Sequence, residues 1–440
     1  MYAACLFGPS LCRVAVDHGT TVNVSAHDSL SFTSRYLEQV SRKSEQYNAK
    51  YGNKPCRAHA AFWFWNLAQL FNFKRSMRPK ADDVCRIGFL ITGGIGDMIV
   101  ALNYLQNFHR FLGENFTFDV YVQKKRGYCE IIQTLCREQD FVKQVLPSSQ
   151  LKRDYDLYVK LVRCPEILYF NEAKIRSLSP KLHHWCLAVN DFHQDNPVVY
   201  RYSTHGDYVG IKLAILHGRN RLQQADVSNT VQVESIFQPK ILADTQETLA
   251  KFSLGNKCFI TMQRGVGGGD SNVSTRLWSI RHYETLARLI KDRMPEVPIV
   301  QVGTKNKGNL AIQGVDMDLR DQTTYEDVMV LMQQSSCHID CDCGLVHLRH
   351  FLRGGPSVVL FGPTDKQFLG YAENINLQSD ACIGGCEWIT AKYAMKCARG
   401  LSENVCLTRL APEVVFEHVL QLVNSVSYNA NGDRMYTFTV

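Results

Sequence analysis

The chain has 440 residues, 45% of them hydrophobic, with 49 Lys and Arg against 42 Asp and Glu for a net charge of +7. That length suits two or three domains with full cores, and a charge this modest, with no basic stripe interleaved with aromatics, excludes nucleic acid as the partner while leaving room for an acidic substrate or an anionic membrane surface. The 16 cysteines are scattered through strands and helices, which excludes a small disulfide scaffold and suits thiols packed as small hydrophobes in a reducing cytoplasm.

Residues 1–80 form an N-terminal extension of unclear fold. Its first residues lack the charged flank of a signal peptide, and the chain holds no apolar run of about 18 residues, so a cytoplasmic protein is expected, soluble or peripheral on the inner membrane. After the polar stretch 41–57 comes Ala60-Ala61-Phe62-Trp63-Phe64-Trp65-Asn66-Leu67-Ala68-Gln69-Leu70-Phe71-Asn72-Phe73, followed by a basic flank at 74–80. This aromatic helix either lies on a membrane interface or packs against the next domain. A polar face of only Asn66, Gln69 and Asn72 favours packing.

The first legible domain spans 81–240. An apolar strand at 85–92 runs into the turn Gly93-Gly94-Ile95-Gly96-Asp97, and Met98, Ala101, Leu102, Leu105 and Phe108 then recur at helical spacing. Further strands are expected at 118–122, 142–146 and 156–162, with helices at 130–137 and 203–217 and a linker at 226–239. Strands alternating with helices through Gly-rich turns imply a parallel, doubly wound sheet.

A second unit of the same kind spans 241–426. It opens with a strand at 257–263, a Gly-rich loop from Arg264 to Asp270 and a helix at 280–293. A strand at 298–303 and a helix at 325–334 follow. Then come a strand at 337–340, the run Asp342-Cys343-Gly344-Leu345-Val346-His347-Leu348, and the strand and turn Ser357-Val358-Val359-Leu360-Phe361-Gly362-Pro363-Thr364. In a parallel sheet such turns lie at the carboxyl ends of the strands, where ligands bind. An acid, a glycine and a histidine where a helix begins suit a phosphorylated ligand, because the helix N-terminus offers unpaired N–H groups and a positive dipole end. This points to a nucleotide-type ligand. A closing helix is expected at 411–423 and a loose tail at 427–440.

Four features, in this order and spacing, carry a resemblance: Gly94-Ile95-Gly96-Asp97 after the first strand, Arg276-Leu277-Trp278 before a helix, Asp342-x-Gly344-x-x-His347-Leu348, and Leu360-Phe361-Gly362-Pro363-Thr364. A fifth is the cysteine-bearing segment ending at Cys406, followed by Leu410-Ala411-Pro412-Glu413-Val414-Val415. Over roughly 85–425 the chain resembles glycosyltransferase family 9, the bacterial ADP-heptose-dependent heptosyltransferases. The resemblance implies an α/β fold of the GT-B type, two facing Rossmann-like domains with a central cleft, here with an N-terminal extension. It places the donor nucleotide in the C-terminal domain and the acceptor in the N-terminal one.

By the same resemblance Asp97 is the catalytic base. Inverting transfer needs a group on the face opposite the leaving nucleotide to take the acceptor hydroxyl's proton. Gly94 and Gly96 let the turn run tight and leave room for a sugar. The residues alone also allow Asp97 to be no more than the N-cap of the helix that follows, since Asp is a common cap. His205 and Asp207 are the next candidates for a base. Asp342, Gly344 and His347 take the donor role, with Gly344 permitting close backbone approach and His347 one turn in. Thr275 and Arg276 match the hydroxyl and basic positions on the donor pyrophosphate. The family has Lys where this chain has Arg276, either of which stabilises departing diphosphate charge. Arg264 is a rival for that place, since the loop before Arg276 is longer here than in the family. No divalent metal is expected in catalysis.

Cys382, Cys386, Cys397 and Cys406 follow the spacing C-x3-C-x10-C-x8-C. Four thiolates around the turn Gly384-Gly385 could hold Zn²⁺ or Fe tetrahedrally as a structural metal, against the alternative of unliganded buried thiols. Relatives commonly have two residues between the first pair, and a subset that modifies autotransporter proteins binds iron.

The implied function is an inverting glycosyltransferase that moves a sugar, heptose from ADP-heptose, onto lipopolysaccharide core, another glycan or a protein hydroxyl. The alternative is a GT-B-fold protein that binds a nucleotide sugar without transferring it, or an epimerase-like enzyme.

Overall fold

Apolar runs of five or six residues pair to make the first sheet. Strand β1 (Ile87–Ile91) lies between β2 (Phe118–Val122) and β4 (Leu157–Leu161), parallel to both, and β3 (Val142–Pro147) flanks β2. Strand β5 (Pro165–Phe170) completes the order β3-β2-β1-β4-β5. The sheet is not wholly parallel as expected, because β5 runs antiparallel to β4. Residues 162–164 connect the two, and a parallel return needs a crossover of a dozen residues or more. The structure is a computed structural model describing residues 76–123, 127–196, 205–255, 257–265, 275–382, 384–389, 393–428 and 434–436. The aromatic segment at 60–73, the loop 266–274 and the side chains of His205 and Asp207 lie outside the described residues.

Helices α1 (Ile95–Leu112), α2 (Tyr128–Leu135), α3 (Glu172–Leu178) and α4 (Pro180–Asp195) accompany this sheet, whereas Ile211 and Ala214 of α5 (His205–Leu216) pack with Phe368 of the second half. The α3–α4 pair was not expected, although its capping is local and strong. The Asn171 side chain accepts from the Lys174 amide, and the Ser179 hydroxyl accepts from Leu182 just before Pro180 opens the next helix.

The second sheet is parallel throughout, in the order β11-β10-β9-β6-β7-β8. Its strands are β6 (Ile260–Met262), β7 (Ile299–Gln301), β8 (Met317–Asp318), β9 (Cys337–Cys341), β10 (Ser357–Leu360) and β11 (Ile375–Leu377). Helices α6 (Thr245–Lys251), α7 (Ile280–Arg293), α8 (Tyr325–Gln334), α9 (Gly344–Phe351), α10 (Lys366–Leu369), α11 (Val405–Thr408) and α12 (Pro412–Asn424) accompany it. The tail is not loose where it is described: β12 (Val426–Tyr428) and β13 (Arg434–Tyr436) pair antiparallel.

The fold is therefore α/β of the GT-B type, two doubly wound sheets joined by an irregular linker. The halves also share a core. Phe89, Met98, Leu102 and Phe108 of the first half belong to one buried apolar cluster with Val346, Leu348 and Phe351 of α9. The linker is pinned from the side of α1, where the Asn103 carboxamide oxygen accepts from the amides of Ile236 and Phe237 at 3.1 and 3.0 Å.

Candidate functional site

In each sheet the strand order reverses at one place, and a crevice opens there beyond the carboxyl ends of the two strands concerned. In the first sheet those strands are β1 and β4, and β1 leads into the turn carrying Asp97. In the second they are β6 and β9, which lead to Arg264 and to Asp342. The topology thus sets Asp97 and Asp342 at the two places where such folds hold ligands.

Helix α1 starts at Ile95, with Gly94 as its N-cap and Asp97 in its first turn. Asp97 is accordingly not the N-cap, as one reading of the sequence had it, but reaches back to accept from the Gly94 amide at 3.1 Å through Oδ2. Gly93 has φ 112°, and a Cβ there would stand 2.7 Å from that same oxygen, so the position requires glycine. The other oxygen, Oδ1, accepts from Arg221 Nη2 at 2.9 Å. Arg221 is buried and also donates to the Val162 carbonyl at 2.9 Å and to Gln224 Oε1 at 3.2 Å. Burial pushes the Asp97 carboxyl up, but the charges of Arg221 and Arg163 outweigh it and hold the group below the usual range. It is ionised at neutral pH and able to accept a proton.

On the opposing face, Arg276 Nη2 donates to the Asp342 backbone carbonyl at 2.6 Å and to its carboxylate at 3.0 Å. Helix α9 begins two residues later with Gly344, in close contact with the start of α1. A Cβ on Gly344 would lie 3.3 Å from the Gly96 amide nitrogen, and one on Gly96 would lie 2.5 Å from His347 Cδ2. The N-termini of α1 and α9 therefore abut, glycine against glycine, and sum two positive dipole ends at one point. His347 is buried on this seam, with Nδ1 2.7 Å from the Tyr371 hydroxyl. Burial lowers its pKa to about 4 despite the Asp342 charge, so the ring is neutral.

Two expected donor residues are engaged elsewhere. The Thr275 hydroxyl donates to the Tyr393 carbonyl at 2.6 Å, and its amide donates to Ala394. Arg264 is buried, with Nε donating to the Trp278 carbonyl at 3.2 Å and Nη1 to that of Gly308. The motif Arg276-Leu277-Trp278 has a packing role as well: the Trp278 indole donates to the Leu410 carbonyl at 3.0 Å, which joins it directly to the Leu410-Ala411-Pro412 run.

Cys382, Cys386, Cys397 and Cys406 line one small cavity together with Thr275, Pro363 and Tyr393. Burial, then the neighbouring sulfurs, raise the Cys386 thiol and push that of Cys406 up to about 12. Among the described residues no three His, Cys, Asp or Glu side chains stand together at metal-ligand geometry. The four sulfurs face one space without closing on a common centre.

Sequence reading missed four residues of this region. Arg221 and Tyr371 hold Asp97 and His347, and neither belongs to a motif. Arg163 is an electrostatic neighbour of Asp97, and Glu387 is one of Arg276, Arg163, Asp342 and Asp97. The one signal for Glu387 was its place just after Gly384-Gly385, where two glycines mark a sharp turn.

No protein-family model and no curated protein matches the chain. Among solved structures it is similar to the ADP-heptose lipopolysaccharide heptosyltransferase II of E. coli, at 14% identity over 77% of this chain and 98% of that one, with a TM-score of 0.46. It is also similar to a glycosyl transferase of family 9 from Veillonella parvula, at 14% identity over 79% and 99%, TM-score 0.45. A third is the iron-containing dodecameric glycosyltransferase TibC of enterotoxigenic E. coli, at 12% identity over 78% of this chain and 77% of that one, TM-score 0.47.

Proposed function

We propose that the protein is an inverting glycosyltransferase that moves a sugar from a nucleoside-diphosphate donor to a hydroxyl. The motifs favour heptose from ADP-heptose as the sugar, and lipopolysaccharide core, another glycan or a protein hydroxyl as the acceptor. Residues 81–240 take the acceptor and 241–426 the donor. The observation that carries this reading is the meeting of an ionised Asp97 with the Arg276, Asp342, Gly344 and His347 set across two abutting helix N-termini. The acceptor oxygen forms a bond to the anomeric carbon as its proton passes to Asp97. The bond from that carbon to the diphosphate oxygen breaks, and the departing charge falls to the α9 N-terminus and Arg276. Asp342 orients the guanidinium for this. His347, held by a hydrogen bond between Nδ1 and the Tyr371 hydroxyl, lines the seam beside it without carrying a charge of its own.

Thr275 and Arg264 serve the same site from behind. Thr275 is bonded to the cysteine-bearing segment and Arg264 to the carbonyls of Trp278 and Gly308. Cys382, Cys386, Cys397 and Cys406 are the residues that would hold a structural Zn²⁺ or Fe, since thiolates are the donors such an ion takes; packed, unliganded thiols are the alternative. Among the described residues no helix is long and apolar enough to cross a membrane.

Titration of ADP into the protein, with release of ADP from ADP-heptose followed alongside, tests the reading. Arg276→Ala should weaken ADP binding by ~1.5–3 kcal/mol, the worth of a hydrogen bond to a charged group. Unchanged ADP affinity would remove Arg276 from the donor site. A wild-type protein that binds ADP-heptose but never releases ADP, with or without acceptor, would favour the non-transferring alternative.

A further inference from the structure

The segment 384–388 is bent sharply. Gly384 and Gly385 have φ 63° and 60°, and Trp388 has φ 62°, a region that a bulky side chain rarely enters. A Cβ on Gly385 would lie 2.8 Å from Lys212 Nζ and 2.9 Å from Asp365 Oδ2, so the turn is pressed against an ion pair joining the two halves. The amides of Cys386 and Glu387 both donate to the Pro363 carbonyl, at 2.9 and 3.0 Å. The Trp388 indole donates to Glu387 Oε1 at 2.9 Å. Its ring packs on Tyr393, 4.8 Å between centroids, and the Arg163 guanidinium carbon stands 4.6 Å from the indole centroid. Arg163 lies in the β4–β5 connection of the first half, so this side chain is clasped from both sides of the cleft.

Backbone strain at a bulky residue persists where the surroundings over-determine it, and such positions cluster at functional sites. Here the strain fixes the carboxylate that precedes it. Glu387 is tied through its amide to Pro363, in the turn after β10 of the second half, and through the Trp388 indole to the ring that Arg163 of the first half covers, so it sits where the two halves meet. A carboxylate fixed at that juncture, beyond the carboxyl ends of strands of both sheets, stands where a sugar passing between the halves would lie. A carboxylate whose Oε1 is already oriented by an indole keeps further lone pairs for hydroxyl donors.

Resting on the glycosyltransferase reading, we infer that Glu387 is a specificity-determining residue, a carboxylate that accepts hydrogen bonds from hydroxyls of the transferred sugar and is oriented by Trp388 under the Arg163 clasp. It reads the sugar, whereas Arg276 and the α9 N-terminus read the diphosphate.

The test is calorimetric titration of ADP and of ADP-heptose into the full chain as wild type, Glu387→Ala and Glu387→Gln. ADP should bind all three within about 2-fold. ADP-heptose should bind Glu387→Ala at least ~10-fold more weakly than wild type, the loss expected for one hydrogen bond to a charged group. Glu387→Gln should recover much of this, because the amide oxygen still accepts from the indole and from a hydroxyl. Equal ADP-heptose affinity in wild type and Glu387→Ala overturns the inference. So does an equal loss of ADP and ADP-heptose, which would assign Glu387 to the folding of its segment alone. Wild-type protein that binds neither compound overturns the donor reading itself, and this inference with it.

Discussion

In the proposed reaction one side chain, Asp97, both holds a helix and takes the acceptor's proton. Its two oxygens are spoken for in the resting protein, one by the Gly94 amide and one by Arg221. Asp97→Asn separates the duties. An amide oxygen can still accept from Gly94, and Arg221 keeps the Val162 carbonyl and Gln224, so the variant should fold. It leaves a buried guanidinium without its counter-charge, which should cost about 1–3 kcal/mol of stability in a denaturant titration. Turnover should fall much further, by ~10²-fold or more, with ADP affinity close to wild type, because an amide cannot take the acceptor's proton. Near-normal turnover would discard Asp97 as the base. Arg221, which no motif or periodicity marks, would then be read as a purely structural partner. It lies in a short irregular stretch after α5, and only the tertiary fold brings it to a residue so far away in the chain.

At the scale of elements, the meeting of α1 and α9 depends on two glycines. A Cβ at Gly96 would overlap the His347 ring, so Gly96→Ala should force the two N-termini apart. Overpacking of this kind costs about 1–3 kcal/mol, and ADP binding should weaken with it; a variant as stable and as active as wild type would show that the helices do not meet there. The cysteine-bearing segment is the second such element. If it holds a metal, purified protein should carry roughly one Zn or Fe per chain, and Cys397→Ser should lower the melting temperature more than it changes ADP affinity. Metal-free protein with an unchanged melting temperature decides for packed thiols. The elements carrying these features were largely legible. Strands β2 and β4 and helices α7 and α8 stand close to where apolar runs and periodicity put them, because each buries an apolar stripe; β3 stands there too, with Val145 its buried residue. Less legible was α4, even though Leu182, Trp185, Cys186 and Val189 recur at helical spacing, because the polar His193 shares their buried face and His183 and Asn190 flank it. Strand β5 was hidden for another reason: an antiparallel return leaves no crossover helix to announce it. In the site, the residues on turns after strands could be located from motifs. Glu387 and Arg163 could not, since their meeting depends on how the two halves face each other.

The whole molecule is held together along that seam, and the seam carries a buried histidine that must stay neutral. Protonating His347 would set a charge close to Arg221 and between two positive helix ends. In the unfolded chain the same ring titrates near its ordinary value of about 6.5, against about 4 when folded. Between those values the unfolded chain binds the extra proton, so stability is complete above about pH 6.5 and is lost as pH falls towards 4. The loss summed over that window is on the order of 3 kcal/mol for this one group. Two other buried groups act nearby in β9. Burial, helped by the Arg349 charge, lowers His338 to about 3, which adds to the acid loss. Burial pushes the Asp340 carboxyl well above its usual range, and it acts in the opposite sense, giving stability at low pH that is lost as pH rises through its folded value. A single stability profile therefore mixes the three. Comparing wild type with His347→Gln isolates the seam, because His338 and Asp340 contribute alike to both. Denaturant titrations from pH 7.5 to pH 4.5 should show the variant losing distinctly less stability over that range than wild type. Parallel profiles would mean that His347 is reached by solvent in the folded protein, and that the two halves do not close upon it.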